Sequence, residues 1–252
     1  MQADNPLDGF FVQLKLPPEL MRRIAAQCPA VTTQTKDGSN RKLRLLLEND
    51  DQRFISQSLI EELTDEVARN LEQHGINAAA TMSSSHFEWI IAPPNCRSKR
   101  SGDRHRDVSR HTLGVITILV FFGDTLGINC RKTRSNSTAA TGYGSVEVWR
   151  NSQNLLPGSM VINESRLKNH LLELRRRHGS LHGTQVPSEG YNCCCFDSRL
   201  FHESLPHQQL QHRAALGFYL RLPTLRRPTI QPTGYIEAEE CSIIDLSKYI
   251  VD

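Results

Sequence analysis

The segment 103–124, DRHRDVSRHTLGVITILVFFGD, places several ionisable side chains directly before a run of β-branched and aromatic residues. Within it, His105 and Asp107 are separated by one residue, so in an extended chain both side chains emerge from the same face while Arg106 points away. An imidazole nitrogen and a carboxylate oxygen suit a divalent transition metal, and one further histidine would complete the two-histidine, one-carboxylate triad of non-haem Fe(II) sites. The pair predicts two ligands of a metal site and requires a third from elsewhere.

A solvated basic loop is the alternative interpretation of the same segment. Asp107 would then pair with Arg104 or Arg110 at the surface, a contact worth about 0 to 1 kcal/mol. This alternative predicts no bound metal. It stays open at this point, because the HxD pattern alone is too short to be specific for a metal site. We interpret three further histidines near the candidate segments, His111, His207 and His212, as surface residues.

A candidate third ligand is in residues 190–220, where an apolar strand leads into a short loop with His202 and a second strand begins at Arg213. The two segments together resemble the Fe(II)/2-oxoglutarate-dependent dioxygenase superfamily, and within it the prolyl-hydroxylase-like branch. The resemblance rests on HRDVSRHTLGVITILVFFGD and on G(x)5FDSRLFHESLP(x)6R. It combines HxD, a following strand, a histidine after F-x-S-x-x-x-H, and an arginine shortly after that histidine.

The resemblance implies a role for each matching residue. His105, Asp107 and His202 correspond to the three metal ligands, which are the catalytic centre, and Arg213 corresponds to the cation that binds the far carboxylate of 2-oxoglutarate. A guanidinium offers the planar pair of donors that a carboxylate accepts. The implied cofactors are Fe(II), 2-oxoglutarate as co-substrate, and dioxygen. Because three protein ligands leave three octahedral positions, the set has room for a bidentate 2-oxo acid and dioxygen.

Two features of the sequence leave parts of this match open. Many relatives carry Ser or Thr two residues after the arginine, whereas this chain has Ala215, so Thr117 is our candidate for the missing hydroxyl that contacts the co-substrate. The segment SMVINESRLKNH offers His170 as a different distal ligand, with Arg175 or Arg176 behind it. We favour His202, because residues 167–178 have helical periodicity and lack a strand that begins with arginine.

The elements that must position these residues are predicted to be helices first and strands later. Helical spacing of apolar residues indicates helices over 16–28, 56–75 and 164–178, the second with Ser58 as N-cap, Glu61 completing a capping box and Gly75 at its end. Alternating patterns and turn signals indicate strands over 86–92, 114–123, 145–150, 159–163, 191–198 and 213–222. This order predicts an α+β protein whose sheet curls into a barrel or a double-sheet jelly roll, and the resemblance implies that this core is a double-stranded β-helix (jelly-roll) with N-terminal supporting helices. We expect a single domain over 1–252, with mainly helical support in 1–80 and the β-helix core in 81–225.

Composition narrows the class of protein. The chain has 252 residues, of which 38% are hydrophobic and 23% charged, as in ordinary globular proteins. It has no apolar run long enough for a membrane helix and no basic-then-apolar N-terminal signal, so we expect a cytoplasmic location and no membrane partner. Seven cysteines without CxxC pairs indicate reduced core residues; Cys193, Cys194 and Cys195 must alternate across a strand.

The expected function follows from the resemblance. Such enzymes oxidise an unactivated C–H bond while 2-oxoglutarate and dioxygen become succinate and CO2, which implies an oxidoreductase that hydroxylates or desaturates. A small metabolite, such as an amino acid or a natural-product intermediate, is the expected substrate. A prolyl-type protein hydroxylase and a barrel that binds a ligand without catalysis are the alternatives. The net charge of +3 does not require a nucleic-acid partner, although three basic clusters keep a nucleic-acid demethylase as a weaker option.

Overall fold

A computed structural model describes residues 7–31, 43–47, 54–77, 83–92, 105–109, 111–123, 146–154, 183–188, 190–204, 213–221, 241–247 and 250. Two helices lie in these ranges, α1 (Pro18–Ala25) and α2 (Gln57–Gln73). Eleven strands accompany them: β1 (Phe11–Leu14), β2 (Cys28–Val31), β3 (Leu43–Leu47), β4 (Ser83–Ala92), β5 (Val115–Gly123), β6 (Val146–Trp149), β7 (Gly183–Val186), β8 (Cys193–Asp197), β9 (His202–Ser204), β10 (Arg213–Arg221) and β11 (Cys241–Ile244). No helix in the described ranges is long and apolar enough to cross a bilayer.

The strands form two larger antiparallel sheets between which the chain alternates. The main sheet has six strands in the order β1-β8-β5-β10-β4-β3, and the smaller sheet has three in the order β7-β6-β9. From β4 onwards the chain visits the main sheet at β5, β8 and β10 and the smaller sheet at β6, β7 and β9. This alternation is the winding of a double-stranded β-helix, so the predicted fold class is confirmed. A separate pair, β2 and β11, lies outside both sheets.

Side chains of the main sheet divide between two apolar clusters, because successive residues of a strand point to opposite faces. On one face, Ile118 of β5 and Phe218 of β10 pack in the same cluster as Met21 of α1 and Leu63 of α2. On the other face, the cluster includes Leu119, Phe121 and Phe196 from the main sheet and Val146, Val148 and Val186 from the smaller sheet. The helices therefore cover the outside of the main sheet, and the space between the two sheets is the interior of the barrel.

The structure corrects one expectation about the N-terminal part and adds strands to it. Ser56, not Ser58, is the N-cap of α2, since the Ser56 hydroxyl accepts a hydrogen bond from the Leu59 backbone N–H at 3.4 Å. Residues 1–80 also hold strands beside the predicted helices, because β1 pairs with β8 and β3 pairs with β4 in the main sheet. Gly75 ends α2 with a φ of +80°, as predicted. The predicted helix 164–178 and strand 159–163 lie outside the described residues.

Candidate metal centre

Backbone hydrogen bonds join the two chain segments that carry the candidate ligands. His105 and His202 form an antiparallel bridge, in which each backbone N–H donates to the other's carbonyl at 3.0 and 2.8 Å. Two residues further, the Asp107 N–H donates to the Ser198 carbonyl at 3.0 Å. The segments are far apart in the sequence, so the barrel brings them together. Their side chains are thereby held at one place by the fold.

The three side chains meet as a compact group of metal-ligating atoms. His105, Asp107 and His202 each offer one such atom, and these atoms all lie within 4.8 Å of one another. Asp107 Oδ1 is 3.6 Å from His105 Nε2 and 3.4 Å from His202 Nε2. Donors on one ion lie at most about 4.4 Å apart when each bond is about 2.0–2.2 Å long. The donor set and these two separations therefore fit a divalent transition metal.

His202 is held in the orientation that a ligand needs. It is buried, and its ring lies edge-on to the Phe196 ring with the two ring centres 5.0 Å apart. Its Nδ1 lies 3.2 Å from the Leu200 carbonyl oxygen. A carbonyl can only accept, so Nδ1 carries a proton in this contact, and the other ring nitrogen, Nε2, faces Asp107. Such contacts fix the tautomer and ring orientation of metal-bound histidines.

Asp107 is fixed through its second oxygen. Thr117 Oγ1 donates to Asp107 Oδ2 at 2.5 Å, and Ser198 Oγ lies 2.8 Å from Thr117 Oγ1. Burial opposes ionisation of this carboxyl, but the neighbouring His202 and His105 outweigh it and hold the pKa of Asp107 well below its usual range. The group is thus an ionised carboxylate. The predicted contact of Thr117 with 2-oxoglutarate stays a prediction.

Arg106, between the two ligands, points the opposite way, as the spacing predicts. Its side chain is fully buried, with its guanidinium 4.0 Å over the centre of the Phe201 ring and Nη1 donating to the Gln153 carbonyl at 3.2 Å. Sequence reasoning did not identify it as a buried anchor. It also overlooked Ser198, which the F-x-S-x-x-x-H motif already contains.

Arg213 begins β10, where its backbone pairs with Ala92 of β4 and Gly123 of β5. On the same ladder, Tyr219 of β10 pairs with Thr117 of β5. The role of Arg213 stays a prediction.

The remaining candidates divide into two groups. His111 is exposed, in agreement with its interpretation as a surface histidine. The described ranges yield one group of three or more possible metal-ligating side chains, the His105–Asp107–His202 group. Other sequence candidates lie outside those ranges, namely Arg104, Arg110, His170, Arg175, Arg176, His207 and His212.

Comparison with solved structures shows the same fold in other proteins. AviO1 from Streptomyces viridochromogenes Tue57 matches with a TM-score of 0.53 and 17% identity, over 90% of this chain and 96% of its own. SnoN, a non-heme alpha ketoglutarate dependent epimerase from nogalamycin biosynthesis, matches with a TM-score of 0.53 and 12% identity, over 94% of each chain. EvdMO1 matches with a TM-score of 0.53 and 17% identity over 87% of this chain, which spans about half (49%) of EvdMO1.

At these identities the likeness establishes the fold alone. The chain shares it with an alpha ketoglutarate dependent enzyme, in agreement with the resemblance of its motifs. No protein-family model matches the chain, and no curated protein matches it by sequence.

Proposed function

We propose that this protein is an Fe(II)/2-oxoglutarate-dependent oxygenase that hydroxylates or desaturates a C–H bond of a small metabolite. The observation that carries the proposal is the convergence of His105, Asp107 and His202 inside a double-stranded β-helix, with Asp107 Oδ1 within 3.6 Å of both imidazole Nε2 atoms. Two imidazoles and one carboxylate are the ligand set of non-haem Fe(II) oxygenases.

When bound, iron supplies the activation of dioxygen, coupled to oxidation of 2-oxoglutarate to succinate and CO2. The chain supplies the rest. His105, Asp107 and His202 hold the ion and leave its other positions open, and Arg213 binds the distal carboxylate of 2-oxoglutarate through its guanidinium fork. Buried Leu119 and Phe121 line the interior face between the levels of Thr117 and Arg213 and exclude water there.

The substrate class rests on weaker support. SnoN has been solved in complex with Fe3+, alpha ketoglutarate and nogalamycin RO (TM-score 0.51, 11% identity), so a protein of similar fold binds a small molecule together with these two groups. We therefore propose a small-molecule substrate for this chain as well. The prolyl-type alternative, the single domain over 1–252 and the cytoplasmic location stay predictions.

The test is anaerobic loading with Fe(II), followed by addition of 2-oxoglutarate and dioxygen and measurement of succinate. The native chain is compared with His202→Ala and Arg213→Ala. His74→Ala and Arg69→Ala are matched controls, because both residues are exposed on or next to α2.

We expect the native chain and the two controls to form succinate at similar rates. His202→Ala should abolish turnover, and Arg213→Ala should raise the 2-oxoglutarate concentration needed for half-maximal turnover. Equal rates in all five proteins would overturn the assigned site. Intact folding without succinate in any of them would favour the barrel that binds a ligand without catalysis.

A further inference from the structure

The two oxygens of Asp107 have different partners. Oδ1 faces both imidazoles, at 3.4 Å from His202 Nε2 and 3.6 Å from His105 Nε2. Oδ2 accepts a hydrogen bond from Thr117 Oγ1 at 2.5 Å, in the range of O–H···O⁻ bonds to an ionised carboxylate. The carboxylate is therefore held by a hydroxyl on one oxygen while its other oxygen points to the metal-ligating nitrogens.

Ser198 completes a short chain of hydroxyls. A threonine hydroxyl has one proton and can donate one hydrogen bond. Because Thr117 donates to Asp107, Ser198 must be the donor in its 2.8 Å contact with Thr117 Oγ1. Both hydroxyl residues are buried, with exposed fractions of 3% for Thr117 and 0% for Ser198. Water therefore does not replace either partner readily.

The backbone fixes this chain of hydroxyls relative to the ligand. Thr117 lies inside β5, paired with Phe196 of β8 and Tyr219 of β10. Ser198 donates its N–H to the Val115 carbonyl and accepts the N–H of Asp107 with its own carbonyl, both at 3.0 Å. The two hydroxyls are thus anchored to β5 and to the ligand segment itself, so they hold Asp107 against a rigid sheet.

We propose that Thr117, supported by Ser198, is a positioning residue that keeps Asp107 a one-oxygen ligand of the bound metal. With Oδ2 engaged, Oδ1 alone is free to bind, and three coordination positions remain for the co-substrate and dioxygen. Without the Thr117 hydroxyl, the carboxylate can rotate and bind through both oxygens, which would occupy one of those positions. This inference rests on the proposed function, and it gives Thr117 a role different from contact with 2-oxoglutarate.

The test uses Co(II) as a probe metal, because its visible d–d absorption reports coordination number without turnover. Metal-free native protein, Thr117→Val, Thr117→Ser and Ser198→Ala are titrated with Co(II), and the spectra of the loaded proteins are compared. Thr64→Val is the matched control, since the Thr64 hydroxyl bonds to the Ile60 carbonyl within α2. Circular dichroism confirms that each variant is folded.

We expect Thr117→Val to bind Co(II) about 10- to 100-fold more weakly and to show an altered d–d spectrum, since loss of a group that orients a ligand has effects of this size. Thr117→Ser keeps the hydroxyl and should restore both the affinity and the spectrum. Ser198→Ala should cause a smaller loss, and Thr64→Val should match the native protein.

The outcomes separate this inference from the proposed function. A native protein that binds no Co(II) would contradict the metal site itself. Binding by the native protein with unchanged affinity and spectrum in Thr117→Val would overturn the positioning role alone. If Thr117→Val does not fold, Ser198→Ala decides in the same assay: weaker binding supports the role, and native affinity overturns it.

Discussion

Residues 105–107 form one short segment whose two opposite faces have different roles. His105 and Asp107 face the candidate metal site, whereas Arg106 is buried on the other side against Phe201. Alternation along an extended chain accounts for both directions, which is why the spacing alone predicts them. A buried guanidinium contributes through its charged hydrogen bond and its contact with an aromatic face. We infer that Arg106 stabilises the segment from behind.

Replacing Arg106 with alanine should lower the free energy of unfolding by about 2 to 4 kcal/mol, because it removes both contacts and leaves a cavity. The measurement is urea unfolding of the metal-free protein. Arg69→Ala is the control, since Arg69 is exposed in a surface pair with Glu66, and it should stay within about 0.5 kcal/mol of the native value. Equal losses in the two variants would contradict an anchoring role for Arg106.

Contacts between distant residues limit what the sequence predicts at this scale. The one-residue spacing of His105 and Asp107 is local, so it was sufficient to place both on one face. The contact between Thr117 and Ser198 spans 81 positions, and it depends on β5 and β8 being neighbours in the main sheet. Periodicity within a single strand cannot reveal such a pairing. His202 was identified through the family resemblance and not by its spacing.

Elements with a strong apolar pattern were the ones that the sequence predicted well. β5 was expected over 114–123 and is Val115–Gly123, and β10 was expected over 213–222 and is Arg213–Arg221. β2, β3, β7 and β11, of four or five residues each, were not predicted. β1 and β9 were not predicted either, since runs of four and three residues seldom establish alternation by themselves. Their strand geometry comes from pairing with β8 and β6. Tertiary contacts thus determine where these short strands form.

The N-cap of α2 gives a prediction about a single element. Ser56→Ala should destabilise the protein by about 1 kcal/mol, because the Leu59 N–H then loses its side-chain acceptor. Ser58→Ala, at the second residue of α2, should change the free energy of unfolding by less than about 0.5 kcal/mol. Thermal unfolding of both variants measures the difference. A larger loss of stability in Ser58→Ala than in Ser56→Ala would indicate that Ser58 is the N-cap.

A buried ion pair secures the turn between β8 and β9, which leads to His202. Arg199 Nε donates to both oxygens of Asp197 at 3.0 and 3.1 Å, and Arg199 Nη2 reaches Asp8 at 2.8 Å. Arg199→Ala would leave Asp197, only 2% exposed, without its cation, and should cost about 3 to 5 kcal/mol. Asp8→Ala removes the half-exposed partner and should cost about 0 to 1 kcal/mol. Chemical denaturation measures the free energy of unfolding of both variants. Similar losses in Arg199→Ala and Asp8→Ala would show that burial of the Arg199–Asp197 pair has little effect on stability.

Over the whole molecule, the main sheet separates an outer core with the helices from an inner core within the barrel. Cys193 and Cys195 belong to the outer core and Cys194 to the inner one, as the alternation of three consecutive residues predicts. A barrel or jelly roll followed from the order of strands along the chain, and the double-stranded β-helix followed from the family resemblance. The order of strands within the sheets did not, because it depends on which strands pair across long intervals of sequence.

The thiols of both cores should be unreactive in the native protein. Burial raises the pKa of Cys28, Cys194 and Cys195, so hardly any reactive thiolate is present at neutral pH. Iodoacetamide should therefore label these residues slowly in native protein and rapidly in urea, with peptide mass spectrometry to assign each site. Equal labelling in the two conditions would mean that the cores open readily.

The central claim is that His105, Asp107 and His202 bind one ion together, and anomalous diffraction tests it most directly. Crystals are grown anaerobically with Fe(II), and anomalous data are collected above and below the iron absorption edge. The account predicts one iron peak per chain, within about 2.2 Å of His105 Nε2, Asp107 Oδ1 and His202 Nε2. Iron bound at a different set of residues, or no iron peak at this group, would contradict it.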